Sequence, residues 1–369
     1  MEKFEQTVNL QTLNQENLHE DIYGKSFALY ELNDMAEFVS FFQRRFQANG
    51  LSPVELFSGK KCLDAGCGNG RGSIFMASHG AASVTLVDIS PTNIVSSAKN
   101  MNKFGFTNFN CNLNNLDNLP FEDESFDFVW CNGVLMHTHN PDKCLAELSR
   151  VLKVAGKAWI YVYGCGGIYW YCVQRIRSMV KDISPDDCIH SLRLIGYSTR
   201  YVAEYLDDWK VPYLRTYSDT DFGKRLEELG FAREKPIRYG VPYDTNHRRS
   251  LYPEDATWIG EGDLRYLLEK THRVTSRPQI SPISANEHGS EYVFPDQLIS
   301  KFAPLFDRLE QATARMSRDR RLLTLASCSH IQFELRKILS EERAFPVSEF
   351  ASIIEETCKL VEMLATELV

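Results

Sequence analysis

The chain has 369 residues, 43% of them hydrophobic and 24% charged, which is enough for a large core and two lobes. Its net charge of -8 argues against a non-specific grip on nucleic-acid phosphates. No window approaches the roughly 18 apolar residues of a membrane span, and no basic region leads an apolar run at the N-terminus, so a soluble cytoplasmic protein with no membrane contact is expected. The ten cysteines contain no C-x-x-C pair and no zinc spacing, which reads as free buried thiols in a reducing compartment and no metal.

Residues 1 to about 20 are polar. Tyr23, Phe27 and Tyr30 then precede a helix over 34–46, in which Met35, Phe38, Val39, Phe42 and Phe46 recur at helical spacing. The three aromatics either line a pocket or fill plain core. A short strand pattern runs from Lys60 through Ala65 into a turn with glycines at 66, 68 and 70, where missing Cβ atoms let the backbone turn sharply and approach a ligand. The segment 83–87 repeats the strand and ends on Asp88, an acceptor pair suited to ribose hydroxyls. Together they read as a nucleotide site in two pieces, although the glycines alone also suit a tight turn without a ligand. A dinucleotide fold wants G-x-G-x-x-G, and neither register fits: the sixth position from Gly66 is Arg71 and from Gly68 is Ser73.

Asn114, Asn115 and Leu116 are followed by a Leu119-Pro120-Phe121 turn, a strand from Phe126 to Asn132, and a loop carrying His137 and His139. A helix over 144–153, apolar at 145, 148, 151 and 152, leads into a strand over 158–163 that ends at Tyr163. Gly164, Gly166 and Gly167 break the pattern; an aromatic run at 169–171 and helical segments continue to about Leu206. Residues 217–231 form a capped helix closed by Gly230, with sheet residues near 232–240. The stretch 241–295 reads mostly as loops, including the polar and aromatic groups at 243–249 and 260–266, which suit a site rim or ordinary surface. From Pro295 the period is helical: Phe302, Leu305, Phe306, Leu309 and Met316 share one face, and Phe350, Ile353, Ile354, Val361, Leu364 and Leu368 another. A helical bundle or a dimerising helix set is predicted there. Arg315, Arg318, Arg320 and Arg321 read first as a solvated face and second as an argument for RNA.

Four of these pieces stand in a familiar order: Asp64-Ala65-Gly66-Cys67-Gly68-Asn69-Gly70, then Asp88, then Asn115 with Leu119-Pro120-Phe121 and Phe126-Asp127, then the helix and strand of 144–163. Over roughly residues 55–165 they resemble the motifs of the class I S-adenosylmethionine-dependent methyltransferases. The resemblance implies an α/β fold: a Rossmann-like class I methyltransferase sheet over 51–240 with a helical lid insertion at about 166–215. An N-terminal helical cap at 1–50 would precede it, and a loop-rich, then helical C-terminal region at 241–369 would follow. It implies S-adenosylmethionine as cofactor, held by Asp64, Gly66, Cys67, Gly68 and Gly70 of the turn, by Asp88 and Ile89, by Asn115 and Leu116 at the adenine, and by Cys131 and Asn132. One departure is plain: the family's Leu-Lys-Pro-Gly-Gly turn is here Leu152-Lys153-Val154-Ala155-Gly156.

Methyl transfer from a sulfonium is an in-line displacement whose rate comes from alignment, with removal of the acceptor's proton where one leaves. His137, after the fourth strand, is the candidate base, and Tyr163 the best placed of the aromatics whose ring faces suit a cation. His137 and His139 without a third ligand do not make a metal site. The expected activity is methylation of a small-molecule metabolite, with nucleic acid disfavoured. The alternatives are cyclisation or transfer of the cofactor's aminocarboxypropyl arm, and a cofactor-binding partner subunit without turnover, paired through the C-terminal helices.

Overall fold

The computed structural model describes residues 21–242, 244–274, 294–314 and 320–367. The polar stretch 1–20, Tyr243, residues 275–293, and Arg315, Met316, Arg318 and Leu368 of the sequence reading lie outside them. Two units partition the chain. The first comprises the described residues of Met1–Tyr163, Val211–Gly240 and Asp263–Ser290, and the second those of Gly164–Lys210, Val241–Gly262 and Glu291–Val369.

The first unit is a seven-stranded sheet. Helical residues 21–28 and helix α1 (Leu32–Ala48) lead into β1 (Lys61–Ala65), α2 (Arg71–Ser78), β2 (Ser83–Asp88), α3 (Pro91–Lys103), β3 (Phe109–Leu113), β4 (Phe126–Asn132), α4 (Pro141–Val151) and β5 (Leu152–Tyr163). After the chain returns, α5 (Asp219–Glu228), β6 (Phe231–Pro236) and β7 (Asp263–Lys270) complete it. The order is β3-β2-β1-β4-β5-β7-β6, parallel through β5, with β7 antiparallel to both of its neighbours.

Local sequence starts these helices sharply. Ser90 and Asn140 accept from the backbone N–H three residues on, each followed by a proline whose fixed φ suits the first helical position. β1 and β4 are buried on both faces, as parallel strands between helices must be. One face packs on Phe42, Phe46, Phe57 and Phe75, the other on the apolar stripes of α4 and α5. Strand order reverses between β1 and β4, so the crevice at their carboxyl ends is where such a sheet receives a ligand.

One observation departs from the sequence reading. Residues 245–270, read as loops, include helices at Thr245–Leu251 and Ala256–Ile259 and the strand β7. The charges of β7 are drawn inward: Arg265 pairs with Asp263 and lies over the Tyr161 ring at 4.4 Å, and the buried Lys270 ammonium donates to the Ser149 and Leu152 carbonyls. At the altered family turn, Ala155 takes φ +61, a left-handed conformation that glycine adopts without strain, while a Cβ at Gly156 would lie 2.8 Å from the Lys153 carbonyl.

The second unit is helical. Its core is built by Ile168, Tyr171 and Cys172, by Phe302, Phe306 and Leu309, and by Ile331, Leu335, Phe350 and Ile354. The fully buried Arg248 pairs with Asp255 and donates to the carbonyls of Ile338, Leu339 and Glu341, filling the end of the helix Arg320–Ser340, whose last carbonyls lack helical partners. A second polar cluster is equally closed: the Asp208 carboxylate accepts from Tyr169, Gln332 and Arg336.

Candidate active site

The ends of β1, β2 and β4 open into a pocket of about 960 Å³, open solvent at its mouth included, and every lining residue belongs to the first unit. Gly66 and Cys67 donate to the Val87 carbonyl at 2.8 and 2.9 Å, which ties the turn to β2. Gly66 is at φ +77, and a Cβ there would sit 2.5 Å from Val134. Gly68 is at φ +53, with the Phe27 ring 3.1 Å from its Cβ position. The turn thus holds two close approaches that only glycine permits.

Two carboxylates flank it. Asp64, buried on β1, accepts from the Ser73 hydroxyl at 2.6 Å, and burial pushes its carboxyl up to about 7. Asp88 ends β2; burial raises its carboxyl too, opposed by the N–H groups that it accepts. Its Oδ1 takes Ser90 N–H at 2.9 Å and the Asn93 amide at 3.1 Å, Oδ2 takes Gly68 N–H at 2.8 Å, and the Ile89 N–H also bonds the carboxylate. Beside it, Asn93 lines the pocket, and its buried Oδ1 has no hydrogen-bond partner among the described residues. A ribose diol, which must donate, matches this pair of acceptors.

The far wall is the loop after β4. His137 Nδ1 lies 2.9 Å from the Tyr213 carbonyl; a carbonyl only accepts, so Nδ1 carries the proton and the lone pair of the neutral ring is on Nε2. The ring stands edge-on to Tyr23 at 5.5 Å and to Tyr163 at 5.4 Å. Arg215 braces the loop: its backbone N–H donates to Met136, and its guanidinium to the carbonyls of Thr138 and His139 while lying over Tyr213. His139 Nδ1 meets the Tyr213 hydroxyl at 3.0 Å.

Of the residues singled out in the sequence, Asp64, Gly66, Cys67, Gly68, Asp88, Ile89, Asn115, Leu116, Asn132 and His137 line this pocket. Three do not. Gly70 packs α2 on α3, a Cβ there lying 3.1 Å from Ser97. Cys131 points into the core on the opposite face from its neighbour Trp130, as strand alternation requires, and it is Trp130 that reaches the pocket. Tyr163 stands behind His137 against the core. The sequence reading left Phe27 and Tyr23 undecided between pocket and core, and passed over Arg71, Asn93, Trp130 and Tyr213, all of which line it. Gly72, two residues past the motif, was a readable signal: a Cβ there would lie 2.6 Å from Trp130 Nε1, so only glycine lets α2 approach β4.

Residues 63–160 match a family model described as a methyltransferase domain. A tRNA U34 carboxymethyltransferase of Campylobacter concisus is 34% identical over 112 residues, 30% of this chain and 38% of that protein, so the chain spans well under two thirds of that relative's length. A demethylmenaquinone methyltransferase of Tropheryma whipplei is 29% identical over 203 residues, 53% of this chain and 77% of the relative. Among solved structures, a SAM-dependent methyltransferase from Aquifex aeolicus superposes with TM-score 0.38 at 14% identity, covering 65% of this chain and 99% of the other. The motif order, the sheet order and the family match converge: residues 63–160 carry a methyltransferase domain, similar in motif order to the class I S-adenosylmethionine-dependent methyltransferases.

Proposed function

We propose that the protein transfers a methyl group from S-adenosylmethionine to a small-molecule acceptor. The observation that carries this reading is the convergence of the Asp88 and Asn93 acceptors, the glycine turn and the His137 loop on one pocket. When bound, the cofactor supplies an electrophilic methyl on a sulfonium. Asp88 and Asn93 would accept from the ribose, and Asn115 and Leu116 would border the base. His137 Nε2, its tautomer set by the Tyr213 carbonyl, would take the proton of an acceptor hydroxyl or amine. Arg215, by holding the Met136–His139 carbonyls, would fix where that nitrogen points.

Relatives named for quinone substrates support a small acceptor, and one named for tRNA points the other way. The net charge of -8 favours the former. Incubation with the cofactor, a panel of small metabolites and bulk tRNA tests this, with product identification by mass spectrometry. Formation of S-adenosylhomocysteine together with a methylated metabolite is expected. Methylthioadenosine as the main product, or turnover with tRNA alone, would sink the proposal.

A further inference from the structure

Arg71 is the residue that breaks the dinucleotide pattern, and it lines the pocket at the glycine-turn end. Its guanidinium carbon lies 4.5 Å from the Phe38 ring centroid, 5.2 Å from that of Phe27 and 5.8 Å from that of Tyr30. These rings stabilise its charge through their faces while leaving the five N–H donors of the guanidinium edge uncommitted. Asp64, in the same pocket, feels the charge of Arg71, but no described carboxylate lies within ion-pair distance of it and no described residue hydrogen-bonds it; Asp64 is engaged by Ser73, and Asp88 by Ser90, Asn93 and Gly68. A half-buried cation, held by three aromatic faces and without a direct ion pair among the described residues, is arranged for an anion that arrives with a ligand.

Its place along the pocket says which one. Asn115 and Leu116 follow β3 and Asp88 ends the neighbouring β2, with Gly68 bonded to Asp88 and Phe27 packed on Gly68. Arg71 lies over that same Phe27 ring, at the opposite end of this sequence of contacts from Asn115. Resting on the reading that S-adenosylmethionine occupies the pocket with its ribose at Asp88, we propose that Arg71 holds the α-carboxylate of the cofactor's amino-acid arm. A planar fork matches a carboxylate bidentately, where a lysine would offer only a point charge.

Calorimetric titration of S-adenosylmethionine and of decarboxylated S-adenosylmethionine, which keeps the sulfonium and the amine, isolates the carboxylate. The parent should prefer the carboxylated ligand by about 10- to 100-fold, the worth of a charge-assisted hydrogen bond. Arg71→Met should bring that ratio close to one, and Arg71→Lys should leave it between the two. An unchanged ratio in Arg71→Met, or equal losses for both ligands as from disturbed aromatic packing, would overturn the assignment while leaving the cofactor reading intact. A parent that binds neither ligand sinks the cofactor reading and this inference with it.

Discussion

Asp64 shows how one buried side chain sets a pH dependence. Burial lifts its carboxyl from the ordinary carboxylate range to about 7 despite the Ser73 hydroxyl. The folded state therefore holds a proton that the unfolded chain releases near pH 4, so the group is neutral in its effect below that value and destabilises as pH rises through about 7. Asp64→Asn keeps an oxygen for Ser73 and carries no charge. It should match the parent at low pH and exceed its stability at pH 8 by on the order of a few kcal/mol. Urea denaturation of both proteins at pH 5 and pH 8 checks this. The quantity to read is the difference between them, since Asp208 is also pushed up to about 7. Equal stability at pH 8 would show that Asp64 is not desolvated as described. At this scale the sequence was legible where a residue type answers one need, as with Asp88 at a strand end. Arg71 was not legible, because its three ring partners come from helical residues 21–28, from the turn after them and from α1, none adjacent in sequence.

Among the elements, the strongest readings were those with a period or a stop: β1 into the glycine turn, β2 into Asp88, and the apolar spacing of α4. β7 was hidden because its sequence, Asp263-Leu264-Arg265-Tyr266-Leu267-Leu268-Glu269-Lys270, carries four charges, and a charged strand reads as surface. In the fold it lies between β5 and β6, and Arg265 and Lys270 find partners in the interior. That pairing is tertiary, so no local pattern announces it. The first residues of β5 give an element-scale prediction. Ala155 holds a positive φ where the family has glycine, and glycine removes the Cβ strain at some cost in chain entropy. Ala155→Gly should stabilise the protein by about 0.5–1 kcal/mol, read as a higher urea midpoint at unchanged slope. A lower midpoint would mean that the turn is not strained.

For the whole molecule, the thiols give the broadest test. All ten cysteines are free, and only Cys111 is partly exposed. Burial pushes the Cys62 and Cys144 thiols up to about 12 and raises Cys111 as well, so thiolate is scarce everywhere. Native protein should show one slowly reacting thiol with a disulfide reagent, and all ten after denaturation. Rapid labelling of several under native conditions would mean that a core opens far more readily than its packing implies. The sequence reading reached this thiol chemistry from scattered spacing alone. Both units are discontinuous, so no single boundary in the sequence separates them; Gly164, Gly166 and Gly167 mark one crossing, directly after Tyr163.

Trp130 lines the pocket and lies nearly parallel to Trp159, with ring centroids 5.4 Å apart and an interplanar angle of 10°. Two indoles so close couple their excited states, and an exciton couplet in circular dichroism that unfolding abolishes is the expected outcome. Since one member of the pair borders the cavity, ligand occupancy is expected to perturb that couplet, which a circular-dichroism titration with S-adenosylmethionine checks. Ligand arrival can then be followed without label, radioisotope or turnover.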